Sequence, residues 1–256
     1  MMRVTSISLC IALCLSAFSL SACAQEAQTH CESRTVDGAR YSICTFTSGQ
    51  DDIRLFRSGA SGQVYGSFTA VNSALAENDQ ELIFAMNAGM YHADRSAVGL
   101  YREAGATQAQ LQTRAGPGNF GLVPNGVFHI HDGQAGVTET QTFLLKSTVP
   151  DYATQSGPML VIDGKLHPKF LENSTSRKIR NGVGINGGAV IFVKSEDPVN
   201  FHTFATLFRD DLGTPNALYL DGTISRLYSA ELGRNDRGAV MGPIVGVVTA
   251  RSEAAK

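Results

Sequence analysis

Five polar segments of this 256-residue chain end or interrupt apolar stretches. They cover residues 86–92, 118–121 with 125–128, 155–158, 177–181 and 216–222. Each has a carboxylate, an amide or a guanidinium together with glycine or next to one, and loops at the ends of strands are where a scaffold presents such groups for chemistry. Asn-Gly and Asp-Gly pairs also form ordinary turns, so one such segment alone indicates little. Five in one chain favour a shared site.

Short apolar stretches typical of β-strands recur along the chain, which contains 26 glycines. Candidate strands are β-branched or aromatic and are bounded by turn residues. They cover 41–46, 53–57, 82–86, 98–102, 121–122, 126–131, 137–143, 159–162, 189–193, 217–220 and 244–248. Asp132-Gly133 and Asp163-Gly164 predict two-residue hairpin turns, because glycine adopts the positive φ that these turns need.

Two helices are predicted between the strands. One apolar stripe at helical spacing runs from Phe201 to Leu212, with Asn200 as its N-cap and Gly213 as its stop. The second helix covers 68–75, with Ser67 as a cap. Many strands with two helices predict an α+β fold, with a mainly antiparallel or mixed β-sheet core and a few packed helices.

The N-terminus has the composition of an export signal. Arg3 precedes an uncharged apolar run, 4–20, that is too short to span a membrane. Residues 20–23, Leu-Ser-Ala-Cys, resemble the lipobox of bacterial lipoproteins, in which the cysteine is lipidated. Cleavage before Gln25 is the alternative and would release a soluble periplasmic protein. We expect a lipoprotein-type signal peptide at 1–22, lipidation of Cys23, a tether at 23–39 and a single domain at 40–250.

The cysteines support the same compartment. Cys10 and Cys14 leave with the signal and Cys23 is the expected lipid site, so that Cys31 and Cys44 remain as a pair in the mature chain. An isolated pair in the oxidising periplasm predicts a disulfide with a structural role. It would connect the N-terminal segment to the first strand.

Charge and composition exclude some classes of partner. The net charge of the chain is −2 and no run of Lys or Arg occurs, which argues against a nucleic-acid surface. Membrane contact is expected only through the lipid anchor. The oligomeric state stays open.

Two tempting motifs do not hold. Residues 182–187 match G-x-G-x-x-G, but a charged stretch precedes them and a β-like stretch follows, whereas dinucleotide binding needs a strand before and a helix after. His129 and His131 lie at i, i+2 on a predicted strand and would need a third ligand, such as His92 or Asp132, to hold zinc. Solvated positions beside a hairpin explain them as well, so we predict no metal and no cofactor.

Five sequence blocks, in order, resemble the phosphodiester glycosidase family. They read MNAGMYH, GNFGLVPNGVF, QSGPMLVIDGK, SRKIRNGVGI and NALYLDG, and the resemblance extends over roughly 41–248. One departure is clear: many relatives continue Asp-Gly into further glycines and serines, whereas this chain continues into Thr223-Ile224-Ser225.

The resemblance implies hydrolysis of the bond between a sugar anomeric carbon and a phosphodiester oxygen, in envelope or exopolysaccharide material. The implied catalytic residues are Asp221, Arg180, Asn87 and His92. The implied substrate-binding residues are Ser156, Gly157, Asn125, Asn181, Arg177 and Gly222. A carboxylate suits the positive charge that develops at the anomeric carbon, and a guanidinium suits the phosphate. Sugar phosphate or polysaccharide is therefore the expected partner.

Two alternatives remain at this stage. Glu139 and Glu103 are rival carboxylates, although a solvated outward position explains both of them. The alternative to an enzyme is a non-catalytic periplasmic protein that binds exported polysaccharide or assists in its biosynthesis. Its lack of tryptophan speaks against the binder, which would usually present a larger aromatic platform.

Overall fold

The computed structural model describes residues 29–222 and 224–251. The predicted signal peptide, Cys23 and Thr223 lie outside these residues. None of the helices within the described ranges has the length and apolar character needed to cross a bilayer.

Strands dominate the described residues. The helices are α1 (Phe68–Ala76), α2 (Thr140–Leu144) and α3 (Phe201–Thr206), and α3 continues as a π-helical turn over Leu207–Asp211. The strands are β1 (Cys31–Val36), β2 (Ala39–Thr47), β3 (Asp52–Phe56), β4 (Gln80–Asn87), β5 (Tyr101–Glu103), β6 (Ala106–Ala109), β7 (Gly126–His131), β8 (Gln134–Glu139), β9 (Tyr152–Ser156), β10 (Met159–Ile162), β11 (Lys165–Leu166), β12 (Asn181–Asn186), β13 (Ala189–Ser195), β14 (Asn216–Tyr219), β15 (Leu227–Ser229), β16 (Arg234–Asn235) and β17 (Ile244–Ala250).

The strands form three sheets. Their orders are β1-β2-β13-β12-β14-β10-β11, β16-β15-β4-β17-β3 and β6-β5-β9-β7-β8. The strand pairs within these sheets are antiparallel. The α+β prediction with a mainly antiparallel sheet core is therefore confirmed.

One hydrophobic core joins the three sheets. Phe192 and Phe46 of the first sheet meet Phe84 of the second and Phe128 of the third, and all four side chains are almost fully buried. The ring centroids of Phe84 and Phe192 are 4.9 Å apart, and those of Phe128 and Phe192 are 5.8 Å apart in an edge-on arrangement. Tilted and edge-on pairs of this kind stabilise the core beyond the burial of their surface.

Both predicted helices form with the expected caps. The Oγ of Ser67 accepts a hydrogen bond from the Ala70 amide (3.2 Å), and the Oδ1 of Asn200 accepts one from the Thr203 amide (2.8 Å). The helix predicted from Phe201 to Leu212 differs from the prediction in its last turn. There the Leu212 amide donates to the Leu207 carbonyl and so produces the π-helical turn. The wider turn brings Leu207 into the core.

Some predicted strands have different boundaries. Residues 121–122 form a turn, and 98–102 is a strand only from Tyr101 onward. The stretch 137–143 ends as a strand at Glu139, because the Glu139 carboxylate accepts from the Thr142 amide and so caps α2. The range predicted as a tether, 23–39, contains a strand that the sequence did not predict. This strand is β1, whose backbone pairs with β2. Periodicity did not reveal β9 and β12, which are rich in polar residues and glycine.

The two Asp-Gly hairpins form as predicted. Asp132 and Asp163 have φ of 48° and 46°, and the following glycines, Gly133 and Gly164, have 73° and 76°. Left-handed backbone at two successive residues is the geometry of a type I′ turn. These turns fix the register of β7 with β8 and of β10 with β11.

The antiparallel arrangement gives the molecule two distinct ends. β4 ends at Asn87, β9 ends at Ser156, and β12 begins at Asn181 beside the last residues of β14. These polar residues lie at one end of the sheets. The described chain begins at the opposite end, where loop 48–51 meets the turns at 133–134 and 187–188.

Cys31 and Cys44 form a disulfide across β1 and β2, where they are directly opposite each other. We expect the double variant Cys31→Ser/Cys44→Ser to lose about 3 kcal/mol of unfolding free energy, because its unfolded chain regains the entropy of the open loop. Urea unfolding of the oxidised protein and the variant measures the difference.

Reduced wild-type protein is the matched control and should unfold at the midpoint of the double variant. Equal midpoints for the oxidised and reduced proteins would show that the disulfide is energetically silent.

Candidate active site

The side chain of Asn181 holds the segment that carries Asp221. Its Oδ1 accepts from the Asp221 amide (2.8 Å), and its Nδ2 donates to the Asn87 carbonyl (3.3 Å). Backbone bonds between Asn181 and the 220–221 segment add to this link. Asn181 and Asn87 are fully buried, so that these bonds are shielded from water. Three of the predicted site residues, from three distant stretches, are therefore connected directly.

Asn87 joins a further strand to the same group. Its Oδ1 accepts from the Arg226 amide (2.9 Å), just before β15. Its Nδ2 is buried and has no hydrogen-bond partner among the described residues. An unpaired buried donor costs roughly 1–3 kcal/mol, and such a group in a folded protein calls for an explanation. The donor belongs to the residue that Asn181 links to the Asp221 segment.

Arg180 is a buried cation without a carboxylate partner. Its Nε donates to the Val199 carbonyl and one terminal nitrogen donates to the Ser176 carbonyl, both at 2.9 Å. The guanidinium carbon lies 3.6 Å from the ring centroid of Phe201. No described carboxylate lies within ion-pair distance of Arg180. Burial lowers the pKa of Arg180. Because no described carboxylate neutralises the guanidinium, its positive charge is available to an anionic ligand.

Tyr219 lies beside Arg180, whose guanidinium carbon is 5.6 Å from the centroid of the tyrosine ring. Burial raises the pKa of Tyr219 well above its usual range, Arg180 lowers it, and Asp221 raises it further. The net effect keeps the phenol protonated at neutral pH. Tyr219 is thus a hydrogen-bond donor beside the guanidinium, and its ring packs edge-on against Phe201 at 4.9 Å.

Arg180 and Tyr219 line a cavity of about 650 Å³, whereas Asp221, Asn181 and Asn87 are not among its lining residues. It is lined by Asn119, Ser176, Lys178, Ile179, Arg180, Lys194, Glu196, Tyr219, Gly222 and Ser225. The wall has three cations, Lys178, Arg180 and Lys194, and one carboxylate, that of Glu196, so its formal charge is +2. The cavity is therefore suited to an anion.

The single carboxylate of the wall is already engaged. Glu196 accepts from Lys194 (2.8 Å), from both terminal nitrogens of Arg234 and from Ser42 (2.8 Å). Burial opposes its ionisation, but these hydrogen bonds outweigh burial and lower the pKa of Glu196 to about 2. Glu196 is a fixed anion that orients Lys194 rather than a proton donor.

Ser156, Asn125 and Gly157 support the site from behind. The Ser156 hydroxyl donates to the Leu220 carbonyl (2.5 Å), directly before Asp221. The Nδ2 of Asn125 donates to the Phe120 carbonyl (2.9 Å) and so holds the loop that carries Asn119. A Cβ at Gly157 would lie 2.6 Å from that of Asn125, so this position requires glycine.

Gly222 is required by its close neighbours. Its amide donates to the Asp221 Oδ1 (2.6 Å), and a Cβ here would lie 2.0 Å from the Tyr219 hydroxyl oxygen. A larger residue would push the Tyr219 hydroxyl away from Arg180. Gly222 thus lines the cavity and leaves room for the phenol.

The structure does not bring two predicted residues to the others. The side chain of His92 is exposed, and no hydrogen bond or ion pair joins it to Asp221, Arg180 or Asn87. Arg177 is exposed and its Nε donates to the Pro198 carbonyl (3.3 Å), so it does not line the cavity. The roles assigned to them stay predictions.

The rival carboxylates are structural. Glu139 caps α2. Glu103 is not the solvated side chain expected from the sequence: it accepts from the Tyr101 hydroxyl (2.8 Å) and the Arg57 amide (3.0 Å), and burial raises its pKa. Neither residue lines the cavity.

The histidines of β7 lie elsewhere. His129 contacts the Thr138 hydroxyl (3.0 Å), and burial lowers its pKa to about 4. Ligand atoms of His131, Asp132 and Asp151 lie within 4.8 Å of one another at the opposite end of the sheets, and both aspartates are exposed. His129 is not part of that group, so the paired arrangement considered from the sequence does not form among the described residues.

Of the ten residues that line the cavity, sequence reasoning identified Arg180 and Gly222 and missed the other eight. Four of the missed residues, Asn119, Lys178, Ile179 and Tyr219, lie inside the polar segments already noted, so their positions carried a signal that was not used. Lys194 follows the apolar run of β13 and pairs with Glu196, and no sequence pattern marked either residue.

Phe201 supports the buried guanidinium through its ring face. We expect Phe201→Leu to weaken binding of inorganic phosphate about tenfold, because a desolvated cation–π contact is worth up to roughly 2 kcal/mol. Phe201→Tyr keeps the ring and should bind phosphate like the wild type. Calorimetric titration measures both.

Phe143→Leu is the matched control, since Phe143 packs on His129 away from the cavity. Undiminished phosphate affinity in folded Phe201→Leu protein would contradict a role for the ring in holding Arg180.

A family profile and a curated relative match this chain. The sequence profile described as phosphodiester glycosidase matches residues 80–242. The Escherichia coli protein YigE is 36% identical over 177 residues, which cover 69% of each chain.

Two solved structures share the fold. The catalytic domain of zebrafish N-acetylglucosamine-1-phosphodiester alpha-N-acetylglucosaminidase, auto-inhibited by its pro-peptide, has a TM-score of 0.59 at 13% identity and covers 85% of this chain and 81% of its own. A putative exported protein from Burkholderia pseudomallei has a TM-score of 0.54 at 8% identity, with 82% and 74% covered. With a profile match over more than half of its length, this chain belongs to the phosphodiester glycosidase family of hydrolases.

Proposed function

We propose that this protein is an exported glycosidase that hydrolyses the sugar–phosphate bond of a sugar phosphodiester in envelope or exopolysaccharide material. Membership of the family supports hydrolysis of a phosphodiester sugar in general. The observation that carries the assignment to these residues is the series of hydrogen bonds from the Asp221 amide to Asn181 and from Asn181 to the Asn87 carbonyl. Their chain neighbours Gly222 and Arg180 line the cavity.

In the proposed reaction, positive charge develops on the sugar and negative charge on the departing phosphate, and different residues stabilise each of them. The bond between the anomeric carbon and the phosphate oxygen breaks, and its electron pair leaves with the phosphate monoester. Asp221 faces the positive charge that develops on the sugar, as nucleophile or as base for the attacking water. Arg180, Lys178 and the Tyr219 hydroxyl receive the phosphate through charge-assisted hydrogen bonds.

The remaining residues position the reacting groups or the substrate. Asn181 and Ser156 use their polar atoms to hold the 220–221 segment, so they position Asp221 rather than bind sugar. The unpaired Nδ2 of Asn87 is a donor for a sugar hydroxyl or a phosphate oxygen. A phosphate monoester is a stable leaving group, so strong general-acid catalysis is less necessary than for an ordinary glycoside.

We expect Asp221→Asn to lower the rate of sugar release about 10²- to 10⁴-fold, because the amide cannot stabilise positive charge or accept a proton. The Oδ1 of asparagine still accepts from the Gly222 amide, so the fold should be retained. Release of reducing sugar from a synthetic sugar phosphodiester measures the rate.

Asp163→Asn removes an exposed carboxylate from a hairpin and is the matched control. Near-normal turnover by folded Asp221→Asn protein would refute the assignment of this residue. Saturable binding without turnover in the wild type would instead support the accessory-protein alternative.

The export signal, the disulfide and the lipobox support an extracytoplasmic location with a lipid on Cys23. We expect the mature protein to fractionate with membranes and Cys23→Ala to shift it to the soluble fraction, because the acyl chains are lost. Cys31→Ser/Cys44→Ser keeps Cys23 and should stay with the membranes. Soluble wild-type protein would favour cleavage before Gln25.

A further inference from the structure

A second cavity adjoins the cavity of Arg180. Its volume is about 410 Å³, and its wall includes Ser225, Arg226, Asp236 and Arg237. Ser225 also lines the cavity of Arg180, so the two cavities are neighbours.

Arg226 in the second cavity resembles Arg180 in the first. It is 8% exposed, one terminal nitrogen donates to the Ala239 carbonyl, and no described carboxylate lies within ion-pair distance of it. The one carboxylate of this wall, Asp236, accepts from Arg234 through both oxygens and from the Leu227 amide. Burial lowers the pKa of Arg226.

Arg226 and Asp221 are joined through the same pair of buried amides. The Asp221 amide donates to Asn181, whose Nδ2 donates to the Asn87 carbonyl, and the Arg226 amide donates to the Asn87 Oδ1. A sugar held at Asp221 would therefore lie near two cationic cavities.

A single phosphodiester supplies one negative charge and needs one of these cavities. Leaving a desolvated guanidinium without a counter-ion is costly, so a second buried arginine beside the reacting position indicates a second anion in the complex. Arg237, which is exposed at the rim, adds a further positive charge on the same side.

We propose that the cavity of Arg226 and Arg237 binds a second anionic group of the substrate, so that the sugar at Asp221 carries a charge away from its anomeric carbon. This rests on the proposed function and narrows its substrate class. A phosphorylated sugar inside a glycosyl-phosphate polymer has this chemistry, and so does a uronic acid.

Binding of small probes tests the second site without turnover. We expect the wild type to bind glucose 1,6-bisphosphate, or glucuronic acid 1-phosphate, about 10- to 100-fold more tightly than glucose 1-phosphate, as charge-assisted hydrogen bonds allow. The probe that gains affinity identifies the second group as phosphate or carboxylate. Isothermal calorimetry at fixed ionic strength measures the three affinities.

Arg237→Gln and Arg226→Met should each reduce this preference, and Arg237→Gln tests it even where the buried substitution prevents folding. Arg251→Gln removes the same charge from the far end of β17 and should keep the preference. Equal affinity of the wild type for all three probes, or a preference that survives Arg237→Gln, would overturn the inference.

The assay of sugar release separates this inference from the function itself. Hydrolysis of a simple sugar phosphodiester without any preference among the probes would remove only the second anion site. A clear preference without hydrolysis of any diester would retain the site and overturn the proposed catalysis.

Discussion

The site depends on one buried amide. Asn181 begins β12 in the first sheet, receives the Asp221 amide on its Oδ1 and donates from its Nδ2 to the end of β4 in the second sheet. A buried polar side chain must satisfy its hydrogen bonds, and here this requirement fixes two sheets and one loop relative to each other. Ser156 does the same from the third sheet through the Leu220 carbonyl. The position of the Asp221 carboxylate is therefore a consequence of how the three sheets pack.

The second constraint is electrostatic. Arg180 and Arg226 are both buried, donate to backbone carbonyls and lie outside ion-pair distance of any described carboxylate. Other cations of the site are neutralised locally, as Lys194 and Arg234 are by Glu196. Carbonyl dipoles and the face of Phe201 hold the Arg180 guanidinium in place while leaving its charge for a ligand. The cations that have no carboxylate within ion-pair distance among the described residues, Arg180 and Arg226, therefore mark where an anion is expected to bind.

Several elements followed from the sequence because their signals are local. The Asn200 cap, the Asp-Gly hairpins and the strand β7 appear where their residues predict them. Other elements did not, since packing decided them: β9 and β12 are strands despite polar and glycine residues, because both are paired on each side within a sheet. Glu103 was expected in solvent but is partly buried, because the amide of Arg57, just after β3, meets it beside Tyr101 of its own strand.

The sequence by itself determined the class of fold, the caps, the tight turns and the residue types at the strand ends, because these depend on neighbours within a few positions. It also supplied the five blocks that resemble the family. Only the tertiary structure decided which polar residues meet: the Asp221 amide bonds Asn181 and Asn181 bonds Asn87, whereas His92 and Arg177 are exposed. The hydrogen bonds that join Asp221, Asn181, Asn87 and Arg226 connect residues 40 to 139 positions apart. Sequence spacing does not encode such distances, because they are set by the order and register of antiparallel strands from three sheets.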